Sequence, residues 1–443
     1  MDLVIRHATV VTMNARREVL DDADIVIQGN RIAHVGPTRR GRRAAGAQVL
    51  EARGRIVIPG LIHGHLHACQ TLFRNRADGL ELLDWLRQRI WPFEAAHDAQ
   101  SMRASADLTF LELIKSGSTA LLDMGTVRHY DEVFSAARAA GIRLTGGKAM
   151  MDAGSEVPAG LREDTEDSLR ESTRLLETWH GADEGRLRYA LAPRFVLSCT
   201  EELLRQVGHL AKARGVRIHT HASENPTECR VVREQTGHDN IVYFEKLGML
   251  GPHTTLAHCV HLSPAELRAL QTTHTRVTHC PSANMKLASG FAPIPELLGH
   301  DISVALGADG APCNNNLDLW VEMRLAALIH KPRHGPLSMS AHQVLEMATM
   351  GGARALGLEG DLGSLEPGKK ADLAIVSLDA AHATPAGDDV VARLVHSGQS
   401  HNVRTTVVDG RILMRERELR TFDEAEVLER AELHARRIAL AAA

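Results

Sequence analysis

Residues 59–67 read PGLIHGHLH, an apolar strand that ends in histidines. Side chains at i, i+2 and i+4 of a strand share one face. His63, His65 and His67 can therefore point at one spot, and spacing alone leaves open which of them bind. The same arrangement returns along the chain. VRIHTHA (216–222) carries His219 and His221, TTLAHC (254–259) carries His258, RVTHCP (276–281) carries His279, and ISVALGAD (302–309) ends on Asp309. ALLDMG (120–125), RLTGGKAMM (143–151) and LRYALAP (187–193) read as further strands.

Helical stretches separate these runs: SADLTFLELIKSG, DEVFSAARAAG, TEELLRQVGHLAKARG and SPAELRALQTTH. With IVIPGLIHGH as the first strand, the alternation gives about eight β/α units, the signature of an α/β (β/α)8 TIM barrel. An open doubly wound sheet is the runner-up. Barrel enzymes place their active residues at the C-terminal strand ends, where the histidines and Asp309 fall. The chain ends differ in character. LVIRHATVVTM, ADIVIQGNRIAHVG and QVLEARGRIVI are β-rich, with a hairpin at Gly29-Asn30. ADLAIVSL (371–378) and TTVVDGRILM (405–414), turning at Asp409-Gly410, bring similar material back. Residues 1–57 and 361–443 should therefore form one composite β-sandwich beside a catalytic barrel of residues 58–360.

Bulk properties narrow the function. The 443 residues are 44% hydrophobic and 24% charged, as in an ordinary globular protein. A formal net charge of −4 gives no reason to expect nucleic acid or membrane as partner. The basic run Arg39, Arg40, Arg42 and Arg43 has no interleaved aromatics and reads as a solvated loop. Six dispersed cysteines without a CxxC pair argue against a disulfide framework or zinc ribbon and suit a reducing, cytoplasmic setting. No signal-peptide core and no apolar run of about 20 residues is visible. The unusual figure is 25 histidines, grouped in short motifs. Two HxH pairs, a further His and a carboxylate suit a divalent metal, zinc first, although iron, manganese and nickel accept the same donors.

PGLIHGHLH, HTHASEN, LAHCVHLS, HCPSANMKLASG and LGADGAPCNNNLD, in that order, resemble the hallmark segments of the amidohydrolase superfamily. The likeness covers nearly the whole chain. It is greatest to the branch of methylthioadenosine/S-adenosylhomocysteine deaminases, 5′-deoxyadenosine deaminases, guanine deaminases and triazine hydrolases. The resemblance implies His65, His67, His221 and Asp309 as metal ligands. It places His63 in an Asn/Asp slot as a supporting or packing residue and His219 in a supporting role. Glu224 becomes the acid/base, with Glu228 as a nearby competitor for that part, and His258 contacts the attacking water or the substrate. The strand RYALAP offers no lysine to bridge two metals, so one metal is expected, and Lys148, a strand earlier, reads as structural or surface.

In this scheme Asp309 takes the water's proton, Glu224 protonates a ring nitrogen and His258 stabilises the developing oxyanion. Within TLFRNRADGLELLDWLRQRIWPFE (71–94), the resemblance places Trp85 against the base and Glu94 on ribose hydroxyls. Arg194, in APRFVLSC, stands where many adenosine-type members have His and looks like the guanine deaminases. Cys313, in DGAPC, stands for a Ser at the pocket wall. The implied substrate is a small molecule, a 5′-modified adenine nucleoside (methylthioadenosine, S-adenosylhomocysteine, 5′-deoxyadenosine or adenosine). A guanine-like or s-triazine aminohydrolase is the alternative. A metal-storage protein on the same scaffold is disfavoured by the intact set of site residues. A homo-oligomer is expected by analogy.

Overall fold

The computed structural model describes residues 2–38 and 46–442; the basic run Arg39, Arg40, Arg42 and Arg43 lies outside them. Eight parallel strands follow one another around a barrel: Leu61–Leu66, Ser118–Met124, Arg143–Gly147, Leu187–Pro193, Arg217–Ala222, Thr254–His258, Arg276–His279 and Val304–Leu306. The first three are buried along their whole length, because helices cover the outside and side chains fill the inside. The apolar, β-branched runs are the sequence's record of that double burial.

Closure between the eighth strand and the first is a single parallel bridge, Leu66 to Asp309. The Asp309 N–H donates to the His65 carbonyl at 3.3 Å. The seam of the barrel therefore lies at its C-terminal rim and carries Asp309 to His65. Gly64 makes the tight interior possible: a Cβ there would sit 2.6 Å from the Ala305 Cβ and 2.7 Å from Thr278 Oγ1.

The helices begin and stop where local chemistry directs. Asp98 caps Ala99–Ser116 in a reciprocal box with Ser101, and Gly117 ends it at φ +82°. Ser263 and Glu266 form the same box on Pro264–Thr273.

The chain ends build a second, nine-stranded sheet. Its central strand, Ile56–Pro59, pairs in parallel with Leu3–Val11 and antiparallel with Leu373–Val376. IVIP, expected to open the barrel, thus belongs to the terminal sheet, and the barrel begins after Gly60. The two hairpins turn at Gly29-Asn30 and Asp409-Gly410, with Gly29, Asp409 and Gly410 in left-handed backbone. The last helix, Glu424–Ala441, departs from the sandwich expected for 361–443. It packs on barrel helix Ala99–Ser116, held by Arg430–Asp107 and Lys115–Glu424 pairs at 2.5 Å each. Barrel and sheet are joined by Arg143, whose guanidinium donates twice to Asp372 at 3.0 Å and once to Asp409 at 3.2 Å.

Candidate active site

The histidine tautomers follow from which groups can only accept. His67 donates Nδ1–H to the Met124 carbonyl at 2.7 Å, and His221 donates Nδ1–H to the Arg194 carbonyl at 2.7 Å. His219 donates Nδ1–H to the Thr255 carbonyl at 3.2 Å, so its Nε2 is an acceptor. That acceptor receives the Nδ1–H of His65 at 2.7 Å. Three backbone carbonyls thereby leave bare Nε2 lone pairs on His65, His67 and His221, all aimed at Asp309 and at one another. The separations are 3.1 Å from His65 to Asp309, 3.4 Å from His67 to Asp309, and 3.2 Å from His67 to His221. A tetrahedral zinc-type site with bonds of about 2.0–2.1 Å has edges of roughly 3.3 Å.

Protons do not resolve these facing lone pairs. Burial and the neighbouring His65 push His67 down to about 3, and burial with the other rings holds His221 well below its ordinary value. Burial would raise the Asp309 carboxyl, but His65, His258 and His67 hold it well below the usual range. A cation is the remaining way to satisfy three lone pairs and a carboxylate, and the residues fit a divalent metal. His65, His221, His258 and Asp309 bring one donor atom each within 4.8 Å. His258 nevertheless sits further out, its Nε2 3.8 Å from Asp309 and 3.5 Å from Glu224. Its Nδ1–H is held by Asn284 Oδ1 at 2.8 Å. That placement leaves His258 at the edge of the cluster, between Asp309 and Glu224.

Glu224 and Glu228 separate cleanly. Glu228 caps Pro226–Thr236, accepting the Glu224 N–H at 3.0 Å and the Asn225 N–H at 3.4 Å. Glu224 instead lines the cavity, with Oε1 unpartnered. Burial lifts its carboxyl to about 7, against the pull of His258. Burial would lower His258, but Glu224 and Asp309 together raise it. His258 at φ +74° and Asp309 at φ +60° hold left-handed backbone that such residues rarely adopt.

The amidohydrolase family model matches residues 56–413. The chain belongs to the amidohydrolase family. It is 38% identical over 431 residues to the 5′-deoxyadenosine deaminase of Methanosarcina acetivorans, covering 97% of this chain and 96% of that one. It is also 38% identical over 429 residues to the 5-methylthioadenosine/S-adenosylhomocysteine deaminase of Moorella thermoacetica, covering 96% and 97%. Among solved structures it resembles an adenosine deaminase from Xanthomonas campestris with bound zinc, at TM-score 0.93 and 29% identity over 99% of both chains.

The cavity at this site is small, ≈30 Å³. His67, His221, Glu224, His258 and Asp309 line it together with Trp85 and Arg194. Two expected substrate contacts lie deeper. Glu94 is not a lining residue: its carboxylate accepts from Arg194 at 2.5 and 3.1 Å, from Gln70 Nε2 at 2.8 Å and from Thr126 at 3.5 Å. Cys313 is buried outside the lining, its thiol on the Gly310 carbonyl at 3.1 Å.

His63 faces away, against Ser118 Oγ at 3.2 Å. His279 leaves the rim cluster and packs its ring on His330, centroids 5.6 Å apart. Lys148 is a buried structural residue rather than a surface one, its ammonium 2.5 Å from Glu163. Sequence reasoning passed over Gln70, Phe195, Leu82, Leu86 and Leu287 in the lining, and Asn284 behind His258. Gln70 carried a usable signal, lying one short turn beyond His67, whose carbonyl accepts its N–H at 3.0 Å. Among the described residues no helix is long and apolar enough to cross a membrane.

Proposed function

We propose that this amidohydrolase hydrolytically deaminates a 5′-modified adenine nucleoside (methylthioadenosine, S-adenosylhomocysteine, 5′-deoxyadenosine or adenosine), giving the inosine analogue and ammonia. The observation that carries the reading is end-to-end likeness, at 38% identity, to relatives named as 5′-deoxyadenosine and methylthioadenosine/S-adenosylhomocysteine deaminases. The site chemistry agrees with it. Zinc is the metal we assign, held by His65, His67, His221 and Asp309; when bound, it supplies a water acidic enough to ionise near neutral pH.

The chain's own residues do the rest. Asp309, kept ionised, accepts a proton from the attacking water and orients it. Glu224, with its carboxyl raised to about 7, is protonated often enough at neutral pH to give a proton to a ring nitrogen. Protonation there leaves the adjacent carbon open to attack. Asp309 then passes the water's proton to the departing amine, and the Glu224 carboxylate recovers a proton from the new hydroxyl as the carbonyl forms and ammonia leaves. His258, held in orientation by Asn284, donates to the developing oxygen anion. Trp85 and the apolar side chains around it exclude bulk water and stack on the base.

A guanine-like or s-triazine substrate is the second reading, favoured by Arg194 reaching the cavity. We also take the working form as a cytoplasmic homo-oligomer, a state that light scattering after gel filtration would report. An ammonia-release screen of the metal-replete protein tests the function directly. Adenine nucleosides, guanine, cytosine and amino-triazines are the panel. Release from 5′-modified adenosines is expected, and release from guanine or triazines alone would replace the reading.

A further inference from the structure

Glu322, on the helix Leu319–Ile329, is fully buried although it does not line the cavity. Its carboxylate accepts three hydrogen bonds, all from neutral donors. Oε1 takes the Ser282 Oγ–H at 2.5 Å and an Asn314 Nδ2–H at 2.9 Å, and Oε2 takes the Ser282 N–H at 3.1 Å. Burying a carboxyl among neutral groups is unfavourable. Burial pushes this one up to about 7, against the pull of those donors. What the three bonds join together gives the arrangement its purpose.

Both donor residues belong to segments at the C-terminal rim of the barrel. Ser282 lies two residues before Asn284 in the helix Pro281–Lys286, which follows the seventh strand. Asn284 Oδ1 in turn holds the His258 Nδ1–H at 2.8 Å. Asn314 gives its second Nδ2–H to the Ala308 carbonyl at 2.8 Å, and Ala308 immediately precedes Asp309. One carboxylate therefore joins the segment that orients His258 to the segment that carries Asp309. His258 and Asp309 both keep left-handed backbone, φ +74° and +60°, which persists only where the surroundings over-determine it. Their facing atoms, His258 Nε2 and Asp309 Oδ2, stand 3.8 Å apart.

We propose that Glu322 is a positioning residue, tying together the rim segments after the seventh and eighth strands so that His258 keeps its place beside Asp309 and Glu224. This rests on the deaminase reading above, in which those three residues act together on water and substrate. Glutamine at this position keeps the shape but not the set of acceptors. Its carbonyl can still accept from Ser282 Oγ and Asn314, but its amide then meets the Ser282 N–H, donor against donor. The tie to Asp309 survives, and the tie through Asn284 to His258 is loosened.

The test is a double-mutant cycle. Wild type, Glu322→Gln, Asn284→Ala and the double variant, each shown metal-replete by elemental analysis, are assayed on 5′-deoxyadenosine. Glu322→Gln should lower kcat on the order of 10–100-fold with KM changed under about threefold, as expected when a catalytic group is displaced rather than removed. In the Asn284→Ala background His258 is already free to turn, so the same substitution should cost under about threefold. Hydrogen exchange of the same proteins gives a reading independent of turnover: residues 280–287 should exchange faster in Glu322→Gln and residues 307–310 should not. Val321→Ala, an exposed neighbour on the same helix, is the control and should change neither. If Glu322→Gln does not fold, Ser282→Ala, which removes one of the three bonds, takes its place in the cycle with a smaller loss expected. Equal losses in the two backgrounds, an unchanged kcat, or faster exchange throughout the barrel would overturn the inference. A wild-type enzyme inactive on every adenine nucleoside would bring down the deaminase reading and this inference with it, whereas an active one indifferent to Glu322 would sink this inference alone.

Discussion

His65 and His67 lie two residues apart, yet different partners set their free nitrogens: a histidine for His65 and a backbone carbonyl for His67. His63, one step earlier on the same face, is turned towards Ser118. The sequence shows all three equally, because alternation marks a face but not where along the strand the metal lies. The resemblance, not the spacing, separates them. Replacing His65, His67, His221 or Asp309 by Ala should therefore abolish turnover and strip the metal, read by elemental analysis. His63→Ala should retain it, and the reverse pattern would refute the assignment. Glu224→Gln keeps shape and metal while removing the proton, so kcat should fall on the order of 10²–10⁴-fold. A metal-replete Glu224→Gln enzyme with normal turnover would exclude the role. Glu228 was distinguishable in advance: Asn225-Pro226-Thr227-Glu228 spells a capping box, which engages Glu228 and leaves Glu224 unassigned.

At the scale of elements, the barrel strands were legible because both faces are buried, which gives apolar runs ended by the rim histidines. LRYALAP coincides with the strand Leu187–Pro193. The division of IVIPGLIHGH into two strands of two sheets was not legible, since the apolar pattern runs unbroken through Pro59-Gly60 and only pairing partners divide it. Nor does the sequence show that Glu424–Ala441 docks on the barrel, since amphipathicity gives a helix a buried face but not a partner. Gly64 offers a test of the interior. A methyl there meets Ala305 and Thr278 on two other strands, and overpacking typically costs about 1–3 kcal/mol. Gly64→Ala should lower the urea midpoint and reduce metal content together, because the displaced backbone lies between His63 and His65. Gly299→Ala, where a Cβ meets nothing within 4 Å, serves as the control and should leave both unchanged. Equal behaviour of the two variants would show that the first strand has slack.

Across the whole molecule, acid should be more damaging than the metal site alone accounts for, because histidines outside the four candidate ligands are buried neutral too. His97 is an example: its ring is held between the Cys69 carbonyl at 2.8 Å and Ser101 Oγ at 3.0 Å, and burial lowers it from 6.5 to about 4. Below pH 6.5 the unfolded chain takes up a proton there that the folded chain refuses. Stability contributed by the neutral ring is thus complete above pH 6.5, falls as the pH drops towards 4, and changes no further below that. A displacement of this size corresponds to about 3 kcal/mol over the full window. His97→Gln can keep both hydrogen bonds but cannot titrate. Its urea unfolding free energy should fall less than the wild type's between pH 7.5 and 4.5, by roughly 2–3 kcal/mol. Acid weakening of the metal site is common to both proteins and cancels in that difference. Parallel pH profiles for wild type and His97→Gln would mean that the ring titrates in the folded protein much as it does in the unfolded chain, and that the acid sensitivity lies elsewhere.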